Sequence, residues 1–352
     1  MRPRVAVMGA GAVGGYVGGR LAAAGHDVTL IDIWPAHVEA IRANGLDLSG
    51  MTSAEEQLVR VPALHVTEVQ QLAKQRPIDY AIVALKSYDT EWATALMSQY
   101  LSPTGAIVSL QNCINEERIA AIVGWGRVIG AVVTGGLALD LYEPGRIRRH
   151  MAKNPAITAL YVGEPSGRIT PRVRVLATML NDVDTAHATD NLWGERWTKL
   201  CVNGMRNGVS AATGMGGNER DSHDAIRRVC IRLGAESVRV GQALGYRLGK
   251  VGALDPNLMA QANEGDAAAM AEIERLMLEG TQGTNRSDLQ RPSMAQDMAK
   301  DRRTEIEFMN GFIAAKGEEI GVPAPTHARL TETVKRVERG ELRPSPANVL
   351  WN

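Results

Sequence analysis

The chain has 352 residues, and 39 Lys plus Arg balance 39 Asp plus Glu, so it lacks the basic excess that a nucleic-acid partner ordinarily requires. With 45% apolar and 22% charged residues it has the composition of a globular chain rather than a disordered one, at a length that suits two domains. Glycine is the outlier at 36 residues, roughly one in ten against an average near 7%. Three cysteines, Cys113, Cys201 and Cys230, form no C-x-x-C pair. They suggest neither a disulfide framework nor a zinc site, and a reducing cytoplasm is the expected compartment. No apolar run approaches the ~18 residues of a membrane span. Arg2 and Arg4 before an apolar stretch imitate a secretory leader, but seven glycines in the first 25 residues and Arg20 inside the stretch argue against one.

In chain order, residues 5–8 form a short apolar run ending in Gly9, and residues 11–24 read as a helix closed by Gly25. Residues 28–31 are a second strand closed by Asp32; 80–85 and 106–110 are further continuous apolar runs, with helical stretches at 36–43 and 90–100. Such runs suit strands buried on both faces of a parallel sheet, so an α/β doubly wound domain is expected over residues 1–190. From Leu192 the strand signals fade, and 193–209, 224–244, 266–278 and 294–317 read as helices of an all-helical domain over 191–352. Residues 265–284 read as a helical excursion with flexible flanks, and Arg343-Pro344-Ser345-Pro346 as an extended surface tail.

Gly9-Ala10-Gly11-Ala12-Val13-Gly14 is G-x-G-x-x-G between a strand and a helix, the context in which that motif binds a dinucleotide. The first glycine permits the tight turn, the second lets backbone approach the pyrophosphate, and the third allows close packing of helix on sheet. Asp32 follows Gly14 by 18 residues, where a carboxylate accepts from the adenosine ribose hydroxyls and repels a 2′-phosphate. Ile33 to Ala36 offer no Arg or Lys for such a phosphate, leaving His37 as the nearby candidate. NAD(H) is therefore the expected cofactor; the alternative for Asp32 is a solvated strand-end acid.

Lys86 and Asn112 follow the strands ending at Leu85 and Leu110, so both lie at carboxyl ends of parallel strands, where ligands bind. Taken singly, each is also an ordinary loop residue. Lys199, Asn203 and Asn207 are spaced i, i+4, i+8, one polar face of one helix whose other faces are apolar. That face suits a cleft holding a carboxylate and hydroxyls; the alternative is a solvated face. Ser293 after Pro292 reads as a helix N-cap. Asp297, Asp301 and Glu305 share a face by the same rule, and three acids in a row otherwise mean solvent.

Taken together and in order, these residues resemble the ketopantoate reductase (2-dehydropantoate 2-reductase) family along nearly the whole chain. The likeness rests on the glycine-rich loop through Gly15, Leu85-Lys86, Gln111-Asn112, Trp197-Thr198-Lys199-Leu200 with Asn203 and Asn207, Ser293 to Asp297, Thr304-Glu305-Ile306 and Asn310-Gly311. The resemblance implies an NAD(P)-binding Rossmann domain followed by a helical catalytic domain, with the active site in the cleft between them. It implies Lys199 as catalytic lysine, Glu305 as the second essential acid, Asn203, Asn207 and Ser293 as substrate ligands, and Lys86 and Asn112 as cofactor and active-site contacts. NADP(H) enters as a cofactor by this resemblance, against the reading of Asp32. The 265–284 excursion is longer than the family leads one to expect, and Gly216-Gly217 unsettle the match of Asn218 to a further substrate asparagine.

The expected reaction is reduction of a 2-oxo acid, ketopantoate first, with Lys199 stabilising the developing oxyanion and supplying the proton while Glu305 holds or tunes it. An NAD-dependent dehydrogenase of the same family acting on another 2-hydroxy acid or alcohol in catabolism is the alternative, and a non-catalytic nicotinamide-binding redox sensor is a third. Neither nucleic acid nor membrane is expected as a partner. The 294–317 segment serves a core or a subunit interface equally well, which leaves a homodimer open.

Overall fold

The computed structural model describes residues 2–135, 137–282 and 292–351. The chain divides into two compact units, Met1–Leu192 and Trp193–Asn352. In the first, eight strands form one sheet: β1 (Arg4–Met8), β2 (Asp27–Asp32), β3 (Ala63–His65), β4 (Ile78–Val83), β5 (Leu101–Ser109), β6 (Val128–Val133), β7 (Leu160–Gly163) and β8 (Ala186–Ala188). Their spatial order is β8-β7-β6-β5-β4-β1-β2-β3, and every neighbouring pair is parallel except β6 with β7. β1 lies at the centre, with Val5 opposite Val28 on one side and Tyr80 on the other. Its side chains alternate between two apolar layers: Val5 and Val7 join one cluster, Ala6 and Met8 the other. Burial on both faces is why this strand reads as a continuous apolar run. The strand order reverses direction at β1, which opens a ligand crevice beyond the carboxyl ends of β1 and β4.

A second sheet was not legible in the sequence. It has four strands in the order Gln57–Val59, Leu46–Ser49, Arg146–Arg149, Leu139–Glu143. Its strands are three to five residues long, and Leu46–Ser49 pairs with a segment about a hundred residues onward. The helix Ala12–Ala23 packs between the two sheets, and its glycines make that approach feasible. A Cβ on Gly18 would stand 2.5 Å from Leu30 of the large sheet, and one on Gly19 would stand 2.8 Å from Leu46 of the small one. Most of the early glycine surplus thus serves helix packing rather than approach to a pyrophosphate.

In the second unit, two expected helices prove to be broken. The segment 193–209 is Leu192–Gly204, a turn at Met205 and Arg206, and a new helix Asn207–Thr213. The segment 294–317 is Ser293–Ala299, an irregular stretch, a π-helical turn Glu307–Gly311, and the helix Phe312–Glu319. The stop after Ala299 is a Schellman motif: Asp301 takes the left-handed conformation at φ 51°, Arg302 N donates to Asp297 O at 2.9 Å and Asp301 N to Met298 O at 3.2 Å. The excursion is the helix Ala267–Gln282, started by Asp266 Oδ1 accepting from Ala268 N and Ala269 N; its expected end at 283–284, and Gly136, lie outside the described residues. The tail is pinned rather than extended, since Ser345 N and Asn348 Nδ2 both donate to Ala212 O at 3.0 Å and Val349 is buried.

Candidate active site

Gly9 closes the turn after β1 at φ 98°, and a Cβ there would lie 3.0 Å from both the carbonyl carbon and oxygen of Ala84. Gly14 packs against the same residue, its Cβ position 2.8 Å from Ala84 Cβ. Gly11 differs: a Cβ there would meet nothing within 4 Å, and as N-cap it supplies no side-chain acceptor to the first turn. The amides opening the helix at Ala12 are thus left for an anion, with the positive end of the helix dipole behind them. This cradle fits the pyrophosphate of a dinucleotide.

Asp32 ends β2 as expected, but it is buried and already in use. Oδ2 accepts from Ala10 N at 2.7 Å and Oδ1 from Trp34 N at 2.9 Å, so the carboxylate ties the glycine-rich loop to the strand end. Each oxygen keeps a further lone pair for a ribose hydroxyl. His37 is removed as a phosphate ligand. It is fully buried, with Nε2 on Ala10 O and Nδ1 accepting from Gly145 N, both at 2.9 Å.

Lys86 and Asn112 stand half-buried in the loops after β4 and β5. A buried polar brace joins those loops. Gln111 Nε2 donates to Leu85 O at 3.1 Å and to Thr90 Oγ1 at 2.9 Å; Asn115 Nδ2 donates to Ser87 Oγ at 3.2 Å and to Asn112 O at 2.9 Å. Between them Cys113 adopts a left-handed conformation, φ 65°, rare outside glycine and concentrated at functional sites. Of the bracing side chains, Gln111 entered the sequence reading within the Gln111-Asn112 pair and without a role, while Ser87, Thr90 and Asn115 were not singled out; the available signal was a cluster of small polar residues just past two strands.

In the second unit Lys199 and Asn203 share the helix Leu192–Gly204, while the break places Asn207 at the first position of the next helix, so the three do not line one continuous face. Lys199 is partly buried, and among the described residues its ammonium makes no hydrogen bond or ion pair. Desolvation, with a smaller contribution from the charge of Arg206, pushes its pKa down to about 8. Arg206, in the break, is a site neighbour that spacing alone did not reveal. Asn203 and Glu305 are buried. The pairing of Glu305 with Lys199 that the sequence suggested is absent here. Glu305 lies in the irregular segment, Asp301 is exposed on the Schellman turn and Asp297 is buried, so the expected row of three acids does not exist. Ser293 is the first helical residue, and Pro292 occupies the cap position with no side-chain bond, which corrects the reading of Ser293 as N-cap. Asn218 lies on the short helix Gly217–Ser222.

The family descriptions "Ketopantoate reductase PanE/ApbA" and "Ketopantoate reductase PanE/ApbA C terminal" match residues 5–164 and 191–338. A 2-dehydropantoate 2-reductase of Archaeoglobus fulgidus is 30% identical over 339 residues, covering 96% of this chain and 98% of that one. The crystal structure of a PanE/ApbA family ketopantoate reductase from Ralstonia eutropha JMP134 superposes with a TM-score of 0.76 at 28% identity, over 96% of this chain and 99% of the other. D-mandelate dehydrogenase, solved with NADH and anilino(oxo)acetate, shares the fold at a TM-score of 0.77 and 23% identity, over 96% and 98% of the two chains.

Proposed function

From the membership of this chain in the ketopantoate reductase family, which makes it an oxidoreductase acting on a CH–OH group, we propose that it reduces a 2-oxo acid to the 2-hydroxy acid with NAD(P)H, 2-dehydropantoate being the leading substrate. The observation that carries this reading is Lys199: an ammonium with no ion pair among the described residues, its pKa lowered to about 8 by desolvation, gives up its proton readily near neutral pH. Reduced nicotinamide, when bound, supplies the hydride. Lys199 Nζ stabilises the negative charge that grows on the C2 oxygen and delivers the proton to it. Asn203, Asn207 and Ser293 hydrogen-bond substrate oxygens; Glu305 acts on Lys199 at longer range than an ion pair; Lys86 and Asn112 contact cofactor. The loop from Gly9 to Gly14 holds the pyrophosphate.

NAD(H) is the favoured cofactor, because Asp32 places a buried carboxylate at the ribose position and His37 is unavailable to a 2′-phosphate. That preference also supports the second reading, an NAD-dependent dehydrogenase of another 2-hydroxy acid. A passive redox sensor has no use for Lys199 in this setting. Kinetics with a panel of 2-oxo acids, NADH and NADPH test the reading. NADH should exceed NADPH in kcat/KM by about tenfold or more, the scale of one lost ionic contact. Turnover of other 2-oxo acids without 2-dehydropantoate would favour the second reading, and tight NADH binding with no turnover would leave only the sensor. Three buried cysteines, none in a disulfide, fit a reducing cytoplasm, and a homodimer is the proposed assembly.

A further inference from the structure

The helix carrying Lys199 and Asn203 ends at Gly204, and side chains from distant elements hold that end. Asn310 Nδ2 donates to Gly204 O at 2.8 Å and approaches His327 Nδ1 at 3.0 Å. A carbonyl only accepts, so the amide must present its nitrogen, and its second hydrogen makes Nδ1 of His327 an acceptor. The imidazole proton therefore resides on Nε2, which faces Leu233 O and Ser237 Oγ, each at 2.8 Å. His327, Asn310 and Ser237 are fully buried. The ring also touches the helix end directly: a Cβ on Gly204 would stand 3.3 Å from His327 Cε1. Asn310 reaches it from the π-helical turn Glu307–Gly311, a widened turn that recurs at functional sites. The carbonyl of Ser237 accepts from Trp197 Nε1 at 2.8 Å, binding the same helix upstream of Lys199.

We propose that His327 is a positioning residue: through Asn310 its neutral imidazole fixes the carbonyl end of the Lys199 helix, and with it the offset between Asn203 and Asn207 that recognises the 2-oxo acid. The proposal rests on the reading of those two amides as substrate ligands. Two near-isosteric variants separate positioning from simple support of the fold. Asparagine sets its carbonyl where Nδ1 lies and keeps an acceptor for Asn310; glutamine sets its amide near Nε2 and leaves Asn310 without one. His327→Asn should keep the wild-type KM for the 2-oxo acid. His327→Gln and Asn310→Ala should raise it about tenfold, the scale of one buried hydrogen bond, with kcat and the NADH dissociation constant little changed. Amide hydrogen exchange over residues 203–208 should quicken in His327→Gln and Asn310→Ala but not in His327→Asn. If the two His327 variants, both folded by their thermal transitions, match in KM and in exchange, the proposal is overturned. If the wild type reduces no 2-oxo acid, the functional reading fails instead, and the exchange comparison still decides the role of His327.

Discussion

Lys199 holds its charge where burial disfavours it and where Arg206 repels it. The ammonium is the proton-donating form. It predominates below about pH 8 and is lost as pH rises through that value, so kcat/KM for reduction should fall above about pH 8. Arg206→Met removes the like charge, which should move that alkaline limb to higher pH; an unmoved limb would mean that Lys199 is not the titrating group. Lys199→Ala should lose roughly 10²-fold or more in kcat while NADH titrations still report binding, and its residual rate should lack the limb. Asp32 carries a second lesson at this scale. The residue expected as a ribose ligand also clamps Ala10 and Trp34, so replacing it disturbs the loop as well as cofactor choice.

The helix Ala12–Ala23 and its cap separate a glycine that faces open space from glycines that face protein. Gly11→Ala adds a methyl where nothing lies within 4 Å, at φ −60°, so thermal unfolding should shift by no more than about 0.5 kcal/mol while cofactor affinity drops. Gly15→Ala sets a methyl 2.5 Å from the backbone oxygen of Ala10 and 2.6 Å from Ile147, and should cost about 1–3 kcal/mol in denaturant melts. Equal losses of stability in the two would refute the distinction. The sequence made the central strands legible because burial on both faces leaves a local record, an unbroken apolar run. It also placed Lys199 and Asn203 on one helix, since i, i+4 spacing is local too. The small sheet left no such record: its strands are short, and Asp47 pairs with Arg146 only once the chain has folded back. The break after Gly204 was hidden because apolar residues continue on both sides of it, and Asn310, whose amide donates to the Gly204 carbonyl, lies on another element.

Across the whole molecule, formal charge cancels near neutral pH, so acid sensitivity is set by particular buried groups rather than by net repulsion. His327 is one. Burial lowers its pKa from 6.5 to about 4, and the Asn310 amide hydrogen aimed at Nδ1 leaves no place for a second proton. Between those two values the unfolded chain binds a proton that the folded one refuses. The sign follows: stability is full above about pH 6.5 and is lost progressively as pH falls toward about 4, by about 3 kcal/mol in all. Glu236 opposes this. Desolvation raises its pKa although it accepts from Thr326 N, Thr326 Oγ1 and His327 N, so it favours the folded state as pH falls. Subtracting a variant isolates the imidazole. Chemical denaturation of wild type and His327→Asn at pH 7, 6, 5 and about 4.5 should show the gap between them narrowing as pH falls, because asparagine has no proton to take up. A gap constant with pH would show that His327 titrates alike in both states, and would remove the buried imidazole from the acid limit of this fold.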